Sequence, residues 1–155
     1  MGIASDLQDA IISHLDLSDF VIVQTNTSVA AALRSMREER VSAALVKGDG
    51  KLVGIFTERD VLTKVADQAA TWKQPIDTVM TPSPQTISPD EPVSSALGLM
   101  NEGGYRNMPV LYADGNILGN LSHPAIIQFL TDRFPREIYN LPPDPNIIPQ
   151  NREGA

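Results

Sequence analysis

The sequence predicts an α/β (α+β) fold made of two β-α-β-β-α repeats packed with pseudo-two-fold symmetry. Three observations predict it. Val29, Ala32, Leu33 and Met36 follow the i, i+3, i+4, i+7 spacing of a helix face, and Val93, Ala96, Leu97 and Met100 repeat it 64 residues later. An Asp-Gly pair between two short apolar runs, a strong hairpin signal, occurs at Asp49-Gly50 and again at Asp114-Gly115, now at an offset of 65. Neither half could bury both faces of a sheet alone, whereas two halves related by a pseudo-two-fold axis can.

Taken in order, Ser5 to Leu15 reads as an amphipathic helix with Leu7, Ile11, Ile12 and Leu15 on one side. Phe20 to Val23 is a strand, and Thr27 is placed to cap a helix from Ser28 to about Glu39. Ser42 to Lys47 and Leu52 to Phe56 are strands on either side of the Asp49-Gly50 turn. A helix from Glu58 to about Gln68 follows, with Val61, Leu62 and Val65 expected inward. The second copy supplies strands at Asn107 to Tyr112 and Ile117 to Leu121, then a helix from Ser122 to about Arg133. The boundaries are therefore 1–16 for an N-terminal helix, 17–70 for the first repeat, 71–83 for a linker with one helical turn, 84–133 for the second repeat and 134–155 for a proline-rich tail. The tail combines Pro135, Pro142, Pro143, Pro145 and Pro149 with apolar residues such as Ile138 and Leu141, and is expected to lie extended across the domain or a partner chain.

Composition narrows the function. The chain has 155 residues, a net charge of −7 and no cysteine. Disulfides, thiolate nucleophiles and cysteine-held metals are excluded. No basic stripe is present, so nucleic acid is not an expected partner. No apolar run reaches the ~18 residues of a membrane span, and Met1 to Gln8 lacks a signal-peptide pattern, so a cytoplasmic location and no membrane contact are expected. His14 and His123 have no second histidine at metal-ligand spacing, and Ser122 beside His123 lacks an orienting acid, so no enzyme is expected.

The chemistry concentrates at Gly54 to Asp60. Thr57 can cap the helix that follows, and Asp60 three residues on completes a variant capping box. That pattern alone is explained either by helix capping or by a ligand. At the equivalent place in the second repeat stand Ser122, His123, Pro124 and Ala125, where the hydroxyl persists and the carboxylate does not.

Val41 to Val46 followed by Asp49 to Asp60 resembles the most recognisable stretch of the CBS domain, the module named after cystathionine β-synthase. Val79-Met80-Thr81-Pro82 resembles the usual approach to a second copy, and Arg106-Asn107-Met108-Pro109-Val110 with Gly115 to Gly119 matches more loosely. The resemblance spans roughly residues 17–133. It implies a tandem module with its two sheets face to face, pairing into flat discs, so a homodimer is expected. It implies regulation, not catalysis: an adenosyl ligand (AMP, ADP, ATP or S-adenosylmethionine) would bind, with no cofactor required, and modulate an unknown regulated protein or the module's own oligomer. It places Asp60 at the ribose, where a carboxylate can accept from both hydroxyls. It places Thr57 at the phosphate, Val41, Ser42 and Ala43 along the base, and Thr27 and Ala32 beside the same cleft. Arg106 stands where a basic residue reaches a phosphate, and Arg59, Lys47 and Lys51 are further phosphate candidates. Ser122 is the surviving hydroxyl of the second site, which is expected to be weak or empty without its acid. The alternative is a ligand-free interaction and dimerisation scaffold.

Overall fold

The computed structural model describes residues 8–134. Strand β1 is Val21–Gln24, β2 Ala43–Gly48, β3 Lys51–Thr57, β4 Thr81–Pro82, β5 Asn107–Leu111 and β6 Ile117–Ser122. Helix α1 is Val29–Glu39, α2 Glu58–Asp60, α3 Val93–Gly103 and α4 His123–Arg133. The first sheet has the order β1-β2-β3-β4, with β1 parallel to β2 and the rest antiparallel. The second is the β5-β6 hairpin. Its outer members are single bridges: Ile87 lies parallel to Val110, and Ser18 parallel to Asn120. The first strand expected of the second repeat is thus reduced to Ile87, whose N–H and C=O bond to Pro109 and Leu111.

These contacts exchange segments between the repeats. Thr81–Pro82, which leads into the second repeat, edges the first sheet beside β3. Leu17, which leads into the first, edges the second sheet through a bond from the Asn120 N–H to its carbonyl (3.0 Å). The exchange explains two glycines. A Cβ on Gly119 would stand 2.5 Å from the Leu17 carbonyl oxygen, and one on Gly54 would meet the Met80 side chain at 2.3 Å. Both sit where the borrowed segment crosses.

Burial follows the period-two alternation of the strands. Ala44, Val46 and Phe56 face α1 and join Val23, Val29, Ala32, Met36, Val65, Ile76 and Val79 in the first core. Ala43, Leu45 and Ile55 point the other way and, with Phe20, Leu52 and Ile117, form the layer between the repeats. Ile12, Leu15, Val93, Ala96, Met100, Met108, Val110 and Leu121 make the second core. Each fully buried large apolar side chain is worth about 1.5–3 kcal/mol. Ile12 and Leu15 therefore cover the second repeat, as Ile76 and Val79 cover the first.

Several expectations change in detail. No continuous helix covers Ser5 to Leu15: residues 1–7 lie outside the described part, Ile11 bridges Pro92, and a 3-10 turn spans Ile12–His14. The linker holds two 3-10 turns, Ala69–Lys73 and Ile76–Thr78, where one was expected. Ser28, not Thr27, caps α1, its Oγ accepting from the Ala31 N–H (3.1 Å). α2 does not run to Gln68; it passes into a π-helical turn at Val61–Val65, closed by the bond from Ala66 N–H to the Val61 carbonyl. Leu62 then points outward and is 74% exposed, against the expectation. The two hairpins differ as well. Asp49 (φ 54°) and Gly50 (φ 77°) form the two-residue turn, but the extra residue of the second loop converts it to a three-residue turn with only Gly115 left-handed. The proline-rich tail lies outside the described residues beyond Phe134.

Because the Leu17 backbone cannot yield as a methionine side chain can, Gly119→Ala is expected to cost about 1–3 kcal/mol and Gly54→Ala less. Urea unfolding of the two variants checks the order.

Candidate functional site

The start of α2 is held by its own residues. Phe56 anchors the end of β3 in the core, and the chain turns into the helix at Thr57, whose backbone is extended (φ −123°). The Thr57 N–H donates to Asp60 Oδ2 at 2.9 Å, the acid half of a capping box. Asp60 Oδ1 pairs with the Lys64 ammonium at 3.1 Å, one turn along the same face. The Lys64 Nζ also donates to the Val79 carbonyl (2.9 Å), tying the helix to the segment between the repeats. Asp60 is only 7% exposed. The Thr57 hydroxyl also donates to Oδ2, at 3.4 Å. The Asp60 charge is therefore balanced inside the chain, and three of its roughly four acceptor positions are taken, the fourth being on Oδ1.

The other expected residues divide between places. Arg59 crosses to the second repeat, donating to the Gly104 carbonyl at 3.0 Å. Gly104 lies two residues before the exposed Arg106, so the Arg59 bond brings the start of α2 up to the segment that carries Arg106. Ala43 pairs with Thr57 in the ladder and is fully buried. Ser42 is already committed: its N–H and Oγ donate to the Asp19 carboxylate (2.7 and 2.5 Å), and its carbonyl accepts from the Glu58 N–H. The Val41 N–H goes to the Met36 carbonyl. The backbone groups expected to serve a base at Val41 and Ser42 are thus engaged within the fold. Thr27 accepts from the Ile76 N–H (2.6 Å), which directs it to the inter-repeat segment. The Ser122 Oγ caps α4 by accepting from the Ala125 N–H (3.3 Å).

Two depressions border these elements. One, about 590 Å³, is a shallow groove between α1 and α2 lined by Arg37, Arg40, Val41, Ser42, Glu58 and Leu62 among others. The other, about 360 Å³, lies in the second repeat between α4 and the segment 14–19. Its apolar wall is Leu15, Ala125 and Phe129, and its rim carries Asp16, Asp19 and Asp132. The Ser18 hydroxyl and N–H hold the Asp16 carboxyl below its ordinary value, so Asp16 stays anionic further into acidic pH. By the repeat offsets, Leu15, Ser122, Ala125 and Phe129 correspond to Val79, Thr57, Asp60 and Lys64. In the first repeat the position of Phe129 is held by Lys64, whose side chain reaches the Val79 carbonyl, the residue at the position of Leu15.

Sequence reasoning missed Asp19 and Lys64. Lys64 could have been found from its i, i+4 spacing to Asp60. Asp19 precedes a strand in an irregular segment and gives no such signal. Among the described residues no group of three or more His, Asp or Glu residues forms a metal-binding cluster, and no helix is long and apolar enough to cross a membrane.

A family model described as the CBS domain matches residues 12–67 and 76–132. The "Meiotically up-regulated gene 70 protein" of Schizosaccharomyces pombe is 39% identical over 114 residues, 72% of this chain but 16% of that protein. An uncharacterised 17.7 kDa protein of Acidianus ambivalens is 25% identical over 122 residues, 78% of this chain and 73% of that one. Among solved structures, the CBS-domain protein ATU1752 of Agrobacterium tumefaciens superposes with a TM-score of 0.69 at 26% identity, covering 77% of this chain and 98% of that one. CBSX2 in complex with AMP gives 0.67 at 24%, covering 79% and 97%. The domain pair of MJ0100, in complex with 5′-methylthioadenosine and S-adenosylmethionine, gives 0.67 at 23%, covering 78% of this chain and 99% of that one.

Removing the acid leaves the Thr57 N–H and the Lys64 ammonium without their partner. Asp60→Ala is expected to lose about 1–3 kcal/mol of stability in ligand-free urea unfolding, and Asp60→Asn, which keeps an acceptor for Thr57, less.

Proposed function

The chain belongs to the CBS-domain family, and we propose that it is a regulatory module that binds an adenosyl ligand in the cleft between its repeats. The observation that carries this reading is Asp60, a buried carboxylate at a helix start, beside Arg59, which bonds to the opposite repeat. The two ribose hydroxyls are donors that suit Asp60 Oδ1, where one acceptor position is open and the other is held by the Lys64 ammonium. Arg59 and Arg106 offer cations on the two walls for a phosphate. AMP, S-adenosylmethionine and 5′-methylthioadenosine in the related structures support the adenosyl class. A ligand that spans both walls would hold the repeats at one spacing, and so bias whatever conformations they exchange between. Ser122 and Ala125 provide no equivalent acid, so one site per chain is proposed.

Calorimetry with AMP, ADP, ATP and S-adenosylmethionine tests the reading. At least one is expected to bind with one site per chain, and Asp60→Asn to weaken it about 10–100-fold, the size of one charged hydrogen bond. Absence of heat with all of them, or an unchanged affinity in the variant, would refute it.

A second property of the module is favoured by a separate observation. Leu62 (74% exposed) and Ile127 (60% exposed) occupy the same position in the two repeats, on the outer faces of the π-helical turn after α2 and of α4. Matched apolar residues on two elements related by a pseudo-two-fold suit a self-complementary contact with a second copy. Light scattering is expected to give the mass of two chains for the wild type and of one for the Leu62→Glu, Ile127→Glu double variant. A monomeric wild type would exclude the dimer.

A further inference from the structure

The two repeats differ most sharply at one pair of positions. Where the first has Asp60 and Lys64, the second has Ala125 and Phe129. The acid and the base are present together or absent together within one chain. In the first repeat the ammonium pairs with the carboxylate at 3.1 Å and reaches on to the Val79 carbonyl, while the corresponding residues of the second, Ala125, Phe129 and Leu15, line a cavity. The two partners are unequally accessible: the Asp60 side chain is 10% exposed and that of Lys64 43%. The half-exposed lysine thus lies over the Oδ1 side of the nearly buried carboxylate.

We propose that Lys64 is the specificity-determining residue of the first-repeat cleft, selecting adenosyl ligands that carry a phosphate over those that do not. The proposal rests on the reading of the module as an adenosyl-ligand binder. Ribose hydroxyls that bond to Asp60 must take the Oδ1 position that the ammonium holds. A ligand without an anion displaces Lys64 and leaves it with the Val79 carbonyl alone. A nucleotide displaces it and offers a phosphate in exchange, within reach of the lysine's four-carbon stem. The ammonium thus exchanges one anion for another, and the local charge stays balanced in a chain whose net charge of −7 would otherwise repel the ligand. The second repeat shows the converse, with neither Lys64 nor Asp60 and a rim of Asp16, Asp19 and Asp132.

The test is calorimetry with AMP and adenosine on the wild type, Lys64→Met and Lys64→Gln. The Gln variant keeps a donor for the Val79 carbonyl and guards against loss of the fold, which circular dichroism checks. The wild type is expected to prefer AMP at least tenfold. Both variants are expected to lose AMP affinity about tenfold and to bind adenosine as well as or better than the wild type, so that the preference collapses. An AMP-to-adenosine ratio unchanged in both variants, with binding retained, overturns the role of Lys64 and leaves the adenosyl reading standing. No binding of either compound to any of the three proteins overturns both.

Discussion

The structure depends on the exchange of edge segments between its repeats. Leu17 bonds to the second sheet and Thr81–Pro82 to the first. Neither sheet has its full width without a segment from the other half, and neither core is covered without it. Ile12 and Leu15 close the second core, and Ile76 and Val79 close the first. A half cut out at either boundary would expose a strand edge and one side of its core. The layer of Ala43, Leu45, Ile55 and Ile117 follows from this, because the exchange fixes the two sheets back to back.

This explains which parts were readable in the sequence. The helix faces at Val29 to Met36 and Val93 to Met100 are local patterns, and the buried positions are the ones the period selects: Val29, Ala32, Met36 and Val93, Ala96, Met100. The Asp49-Gly50 turn and the helix start at Thr57 are also local and are present. The exchange was not readable, because it joins Leu17 to Asn120 across the length of the chain and Thr81–Pro82 to β3 across the helix and linker between them, and each pairing involves only one or two residues. Its one visible trace is the glycine at 54 and 119, which the repeat comparison marked without giving its cause. The shift of the cap from Thr27 to Ser28 has the same origin, since the Thr27 carbonyl is drawn to the Ile76 N–H.

The candidate site was legible as a set of residue types but not as a set of free groups. Thr57 and Asp60 are joined at the start of α2, and Arg59 reaches the Gly104 carbonyl on the segment before Arg106. Ser42 carries its hydrogen bonds elsewhere because Asp19, on the chain's way into β1, reaches its N–H and hydroxyl first. An aligned strand position thus says which backbone atoms lie near a cleft, and the tertiary partners decide whether those atoms are available. Capping and ligand binding at Asp60, posed by the sequence as alternatives, draw on different lone pairs of one carboxylate. The cap uses Oδ2 and the ion pair uses Oδ1, so a second role for the acid draws on Oδ1 and on movement of Lys64 without breaking the cap.

Duplication then supplies a comparison inside one molecule. Both repeats keep the strand, the crossing glycine and a capping hydroxyl, since Thr57 and Ser122 stand at the starts of α2 and α4. A helix start needs only the hydroxyl, as the bond from the Ala125 N–H to Ser122 shows. The acid at position 60 therefore exceeds what the fold requires at that point. A buried carboxylate costs desolvation, and the fold meets that cost by adding Lys64, which in turn reaches the Val79 carbonyl. In the second repeat, apolar Ala125 and Phe129 fill the corresponding positions without any such compensation. An ionic pair kept where a neutral pair is structurally sufficient is the physical sign that separates the first repeat from the second.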